Sequence, residues 1–356
     1  MDGNTSGNMI TMNQPAGKLA TVSGFTFSAP SINGNVISGN GTFRACSNSV
    51  TLGDAGAFVW VNDSDYSSSL VDRNTFTGGT AGHFVVVGGS AMQGGSFGRW
   101  TNGVSTYGTT NGCYVEHNTV SFSGSTLGDG AFDAYNGAEW VVRYNTLNNE
   151  YIGQHGCDSG QHLSPHRWEF YGNTFNWSMD NQSAMQSRGG AGLIFSNTIN
   201  GFSHVSTGYN YGIALQNYRQ IGSVCQQTGN CPPWNYMTGS NPYDGNLITT
   251  GSAEGWPGYC QVGMSGPTAG YAVSGSGTKT TQAFSPVYIW KNYGDGGSGL
   301  LTTTNQGVGP WDSVIYGTNW TDSALAGYTP MVDPHPLANY TNSPAAQRVD
   351  IGRAHV

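Results

Sequence analysis

Apolar and polar positions along this chain repeat in one phrase: an apolar residue, two variable residues, Asn, Thr and a second apolar residue. It occurs as Val71-Asp72-Arg73-Asn74-Thr75-Phe76, then as Val115-Glu116-His117-Asn118-Thr119-Val120 and Val142-Arg143-Tyr144-Asn145-Thr146-Leu147. Phe170-Tyr171-Gly172-Asn173-Thr174-Phe175 and Ile194-Phe195-Ser196-Asn197-Thr198-Ile199 complete the set. Successive Asn residues lie 44, 27, 28 and 24 positions apart. Weaker echoes stand at Gly24-Phe25-Thr26-Phe27, Asn48-Ser49-Val50 and Ile289-Trp290-Lys291-Asn292. A period of about 26 is too short for a propeller blade and lacks a leucine-rich pattern. It predicts one coil of a solenoid, with two or three short strands joined by Gly-rich corners and stacked at about 4.8 Å. The flanking apolar residues would form inward columns. Each Asn would sit at a corner, tolerating left-handed geometry and bonding the Asn of the next coil.

Composition narrows the classes further. Of 356 residues, 55 are Gly and only 9% are charged, which excludes a coiled coil. With 37% hydrophobic and 12% aromatic residues, the chain can build a core and is not classically disordered. No apolar run approaches the length of a membrane span; the longest is Ala57 to Val61. A net charge of −8 with no basic patch argues against nucleic acid as partner. The six Cys include one close pair, Cys225 and Cys231, for which a local disulfide is expected in an oxidising compartment. Cys46 and Cys113 read as buried thiols. No Cys-x-x-Cys occurs, so no structural zinc site is expected.

The domain reading follows the repeat. Residues 1–205 are expected to form regular coils whose first turns and leader are missing, and 206–286 loop-rich coils and insertions. Residues 287–345 would be a last coil and closing segment, and 346–356 a tail. Gly88 to Gly112 would hold a protruding loop or a degenerate coil, since the step of 44 exceeds one coil. The string Ile-Gly-Arg-Ala-His-Val at 351–356 reads like a translated sequencing adapter, so Arg353 and His355 are left out of functional reasoning.

The Asn-Thr-apolar phrases, the Gly-rich corners and strands such as Trp140-Val141-Val142-Arg143-Tyr144 resemble the right-handed parallel β-helix superfamily of pectate-lyase-like proteins. The resemblance runs from about Leu19 to Phe202, weakens from Asn210 to Phe284 and returns at Tyr288 to Asn292. Asp333-Pro334-His335-Pro336-Leu337 resembles the C-terminal closure of soil-bacterial members. The resemblance implies an all-β fold and a secreted or cell-surface location. It also implies action on an acidic or plant-type polysaccharide, although fold does not fix function.

Titratable groups crowd between Asp129 and Arg188: Asp133, Arg143, His155, Asp158, His162, His166 and Glu169 lie between them. Asp133 lies 12 before Asn145 and Gln161 12 before Asn173; His162 lies 11 before Asn173, Gln186 11 before Asn197 and Arg188 nine before it. Coils in register would put these on one outer face within about 10–15 Å. Arg143 should also point outward with Tyr171 and Phe195 stacked above it, while Trp140 and Trp168 pack inward. Arg143 or Arg188 would bind a uronate carboxylate bidentately. His162 would serve as base. A hydrolase would instead pair Asp133 with Asp158 or Glu169. Exposed Tyr135, Tyr151 and Tyr171 would stack on sugar rings.

Competing readings stand beside this one. Arg, Asp and His on adjacent coils also form ion pairs with no catalytic role. The run His155-x2-Asp158-x3-His162-x3-His166 matches no standard metal site, whereas Ca2+ on Asp129, Asp133 and Asp158 is chemically reasonable. The pectate lyase pattern itself is incomplete, because no Asp cluster has a neighbouring Lys and the chain holds three Lys in all. Gly94-Gly95-Ser96-Phe97-Gly98 fits a nucleophile elbow in letters but has no helical pattern after it. No P-loop, dinucleotide fingerprint or zinc-protease motif appears. Two classes of function therefore remain: a lyase or hydrolase acting on a polysaccharide or cell-surface glycan, or a non-enzymatic adhesin, phage-tail-like fibre or structural solenoid, for which a trimer is one option.

Overall fold

A computed structural model describes residues 10–13, 18–32, 35–55, 57–63, 68–78, 83–89, 106–124, 130–135, 137–155, 164–178, 183–201, 212–216, 262–267, 282–295, 301–304, 314, 316–317 and 319–339. Among these, regular structure is β-strand apart from one short 3-10 turn, Pro336–Asn339. No helix among them is long and apolar enough to cross a membrane.

The strands fall into three parallel sheets that the chain visits in turn. The first carries Ile10–Asn13, Ile37–Asn40, Ala57–Asp63, His83–Gly89 and Phe132–Tyr135, each hydrogen-bonded to the next. Bridges from Phe132 to Ile152 and from Ile152 to Met185 carry its line on to Met185–Ser187, Ile213–Gln216 and Leu301–Thr304. The second sheet has nine strands, among them Ser69–Asp72, Cys113–Glu116, Glu139–Arg143, Arg167–Tyr171 and Ala191–Phe195. The third has eight, including Thr75–Gly78, Thr119–Phe122, Thr146–Asn148, Thr174–Asn176 and Thr198–Asn200. A short antiparallel pair, Met264–Pro267 with Gln282–Phe284, stands apart. The fold is thus all-β with parallel sheets, compatible with a parallel β-helix.

The recurring phrase makes the turn between the second and third sheets. Val71, Val115, Val142, Phe170 and Ile194 end second-sheet strands facing the core, and Phe76, Val120, Leu147, Phe175 and Ile199 begin the third sheet behind them. Trp140 and Trp168 are buried inside as expected, and Gly192 lies against the Trp168 ring, where a Cβ would come within 2.2 Å. Between the columns the Asn side chains stack in one file. Asn48, Asn74, Asn118, Asn145, Asn173 and Asn197 each donate from Nδ2 to Oδ1 of the next, ending on Asn292, at 2.9–3.0 Å. Each acceptor Oδ1 also takes the backbone N–H of the Asn below, at 2.9–3.1 Å. The second Nδ2 proton goes to a strand carbonyl, as from Asn145 to Val115. Buried amides are therefore satisfied at every level.

One detail of the corner differs from expectation. The left-handed residue is not the Asn but the one before it: Ser47, Arg73, His117, Tyr144, Ser196 and Lys291 have φ of 53–56°. Left-handed geometry costs a non-Gly residue roughly 1–2 kcal/mol, which the two bonds per ladder Asn offset. Gly172 takes this place in one coil at φ 66°, because a Cβ there would meet the Tyr144 ring at 2.5 Å.

Cys46 and Cys113 are buried thiols, as expected, while Cys225 and Cys231 lie outside the described residues.

Candidate functional site

Among the described residues, the outer face of the second sheet holds the densest cluster of charge, and residues 325–339 lie across it. Leu325, Tyr328, Met331, Leu337 and Ala338 pack on an apolar patch of Leu70, Tyr114, Val141, Tyr171, Leu193 and Phe195. Within and beside that patch the ion pairs are buried. Arg143 Nε donates to Glu116 Oε2 at 2.7 Å, and its Nη atoms donate to Tyr171 Oη and to the Met331 and Val332 carbonyls at 2.6–3.0 Å. Arg44 pairs with Asp72 at 2.6 and 2.8 Å and reaches the Ala338 carbonyl. Glu169 accepts from Arg167, the Gly108 N–H and Tyr328 Oη. Burial opposes the charge on Arg143, but Tyr171 and Glu116 outweigh it and raise its pKa.

Arg143, Glu169 and Tyr171 therefore do not lie open to a polymer. Arg143 does point away from the core with Tyr171 and Phe195 stacked beyond it, the two rings 4.6 Å apart, but its side chain is sealed beneath the C-terminal segment. The expectation of exposed aromatics is also corrected: Tyr135, Tyr151 and Tyr171 are all buried. His166 is buried too, with Nδ1 3.3 Å from Glu139 Oε1.

Asp133 belongs to a different surface. It lies in Phe132–Tyr135 of the first sheet, so Asp133 and Arg143 do not share a face. The register Phe132 to Ile152 to Met185 aligns Asp133, Gly153 and Gln186 in one row and, two residues along in the next outward-facing row, Tyr135, His155 and Arg188. At about 4.8 Å per coil, Asp133 and Gln186 stand roughly 10 Å apart. Asp133, Gln186 and Arg188, three of the five residues that the spacing groups, thus lie along the first sheet, with Tyr135 beside them. Asp129, Asp158, Gln161 and His162 lie outside the described residues.

The Asp133 carboxylate is held from several sides. Oδ1 accepts the N–H of Ala134 at 2.8 Å and of His155 at 3.1 Å. Oδ2 meets His155 Nδ1 at 2.5 Å and faces His83 Nε2 at 3.7 Å. Burial pushes its pKa up, yet His155, His83 and Arg188 together hold it below the ordinary value. His83 Nδ1 lies 2.8 Å from the Gly130 carbonyl, which can only accept, so the ring is protonated there. The His83 and His155 rings meet edge to face at 6.0 Å. Arg188 Nη2 reaches Gln186 Oε1 at 3.5 Å, and Tyr135 packs edge-on to Trp60 at 5.6 Å.

His83 is the residue that spacing alone misses. It sits in the coil below Asp133, where the long step from Asn74 to Asn118 defeats counting back from the ladder. Only the strand register, His83 against Ala57 and Val85 against Phe132, places it. Among the described residues, two groups bring the ligand atoms of three potential metal-binding side chains within 4.8 Å of one another: His83, Asp133 and His155, and Glu116, His117 and Asp333. Comparison with protein-family models, curated proteins and solved structures finds no match to this chain.

Proposed function

We propose that the chain is a right-handed parallel β-helix of a secreted, carbohydrate-directed protein, and that the first-sheet face around Asp133 binds an acidic polysaccharide and cleaves it by elimination. The reading is supported chiefly by one observation: an ionised Asp133 on a part-exposed His155, with the Arg188 guanidinium beside them. Arg188 would pair with a uronate carboxylate. Asp133 orients the His155 ring through Nδ1, which puts the lone pair of the neutral ring on Nε2, the nitrogen that would take the sugar proton. The two-carboxylate hydrolase is less well supported, because Glu169 lies on another sheet beneath the C-terminal segment.

The test is a panel of uronate-containing and neutral polysaccharides, followed by the absorbance of unsaturated uronates and by reducing ends. Absorbance should rise on an acidic polymer, and His155→Ala and Asp133→Asn should abolish it while the β-sheet circular dichroism persists. Reducing ends without that absorbance would refute elimination. The non-enzymatic solenoid has its own support, since the densest charge cluster is consumed in docking the C-terminal segment. Polysaccharide binding with silence in both cleavage assays would favour it.

A further inference from the structure

We propose that His83, Asp133 and His155 form a binding site for a divalent transition-metal cation of the zinc type on the outer face of the first sheet. Three levels of the stack supply the donors: His83–Gly89, Phe132–Tyr135 and the turn after Ile152. Two imidazoles and one carboxylate suit zinc or a similar borderline ion, and leave coordination positions for water or substrate. Calcium, the ion the sequence suggested, prefers oxygen donors alone.

The donors are already oriented from behind. The Gly130 carbonyl fixes the His83 tautomer so that Nε2, the nitrogen turned toward Asp133, carries the lone pair. Backbone N–H groups anchor Oδ1 of Asp133, leaving Oδ2 toward both rings. Such outer contacts are what hold metal ligands in place. Metal bonds of about 2.0–2.2 Å put donor atoms roughly 3.3 Å apart. Oδ2 stands 3.7 Å from His83 Nε2 and 2.5 Å from His155 Nδ1, so side-chain shifts under about 1 Å suffice. The cation would take the His155 Nδ1 lone pair as the proton there moves to Nε2, so a neutral ring loads without net proton release, while a protonated ring must first lose one and loading weakens as pH falls. The rings are 18% and 29% exposed, which gives an ion a way in. Arg188 acts against a dication, because its charge bears on Asp133.

This inference goes beyond the reading of that face and does not rest on it: a cation on His155 Nδ1 leaves the proton on Nε2, so the loaded site would not use His155 as the base. The experiment uses the full chain, stripped with chelator and titrated calorimetrically with Zn2+, Co2+ or Ca2+ alone, without polysaccharide. The expected result is one Zn2+ per chain, Co2+ bound with visible d–d absorption, and Ca2+ bound more weakly. His83→Gln and Asp133→Asn should each weaken Zn2+ binding by at least about tenfold, Arg188→Gln should tighten it, and His117→Gln should leave it unchanged. No saturable Zn2+ binding, a preference for Ca2+, or loss of binding in His117→Gln would overturn the proposal. So would indifference to His83→Gln, whose circular dichroism reports whether it folds. Silence on the polysaccharide panel leaves this titration standing, and failure of the titration leaves the panel standing.

Discussion

Mild acid should release the C-terminal segment from the second sheet, with His335 as the trigger. The imidazole is fully buried 4.5 Å from the Tyr114 ring centroid. Its Nδ1 accepts the Leu337 N–H, so protonation there breaks a bond, while Nε2 has no acceptor among the described residues. The charges around it are Arg143 and Arg44, Glu116, which takes the His335 N–H, and the Asp333 carboxylate on the same segment, paired with His117. Burial first, then Arg143 and Arg44, push His335 down from 6.5 to about 4. The undocked segment therefore binds more protons than the docked one. The contribution to docking is complete above pH 6.5 and falls progressively to pH 4. The linkage relation gives a loss of about 2 kcal/mol by pH 5, or about 30-fold in the docked-to-undocked ratio. Hydrogen–deuterium exchange of residues 325–339, corrected for intrinsic rates, should show that loss of protection between pH 7 and pH 5. His335→Asn keeps an acceptor for Leu337 but cannot titrate, so its protection should stay flat. Equal pH sensitivity in the two proteins would refute the reasoning, since the His117–Asp333 pair and every other group are common to both.

Two further substitutions probe the scaffold. Asn145→Ala removes the donors to Asn173 and Val115 and strands the buried Asn118 N–H, so urea denaturation should show about 3 kcal/mol less stability. Arg143→Ala leaves Glu116 charged and unpaired in a sealed site, which costs about 3–5 kcal/mol. Arg143→Met with Glu116→Gln should recover most of that loss, and the double variant should retain polysaccharide cleavage. Loss of cleavage in a stable double variant would return Arg143 to the chemistry.

Much of the stack was legible because parallel strands in register repeat their local physics at every level. A buried Asn needs a partner, and the next coil offers one in the same place, so the Asn file from Asn48 to Asn292 followed from spacing. A second, shorter file is written in the same letters: Asn200 donates to Asn176 and Asn176 to Asn148, each three residues after a ladder Asn. Because Asn tolerates left-handed geometry best, the sequence points to the Asn as the left-handed residue. What decides it is that the Asn amide must point inward to the ladder, so the preceding residue makes the bend. The site was half legible. Spacing gathered Asp133, Gln186 and Arg188, but it could not separate the first-sheet face from the second, because offset from the ladder sets level and position without saying which wall is covered. Covering is a long-range event. Met331 and Val332 lie nearly 190 residues from Arg143, and nothing around Arg143 announces them.

That covering also explains why charge density alone misdirects in a repeat fold. On the second sheet Asp72, Glu116 and Arg143 follow one another up the coils, and each finds a partner in the neighbouring coil or the C-terminal segment. Their number reflects the need to compensate buried charge. On the first sheet the row Asp133, Gly153, Gln186 carries no side chain at its middle level. That gap lets the His155 ring, one row across and one level up, come down to Asp133 at 2.5 Å while keeping an edge exposed. His83 closes on the same carboxylate from below. A carboxylate held between two part-exposed imidazoles keeps neighbours that solvent can reach; one enclosed by guanidinium, tyrosine and backbone does not.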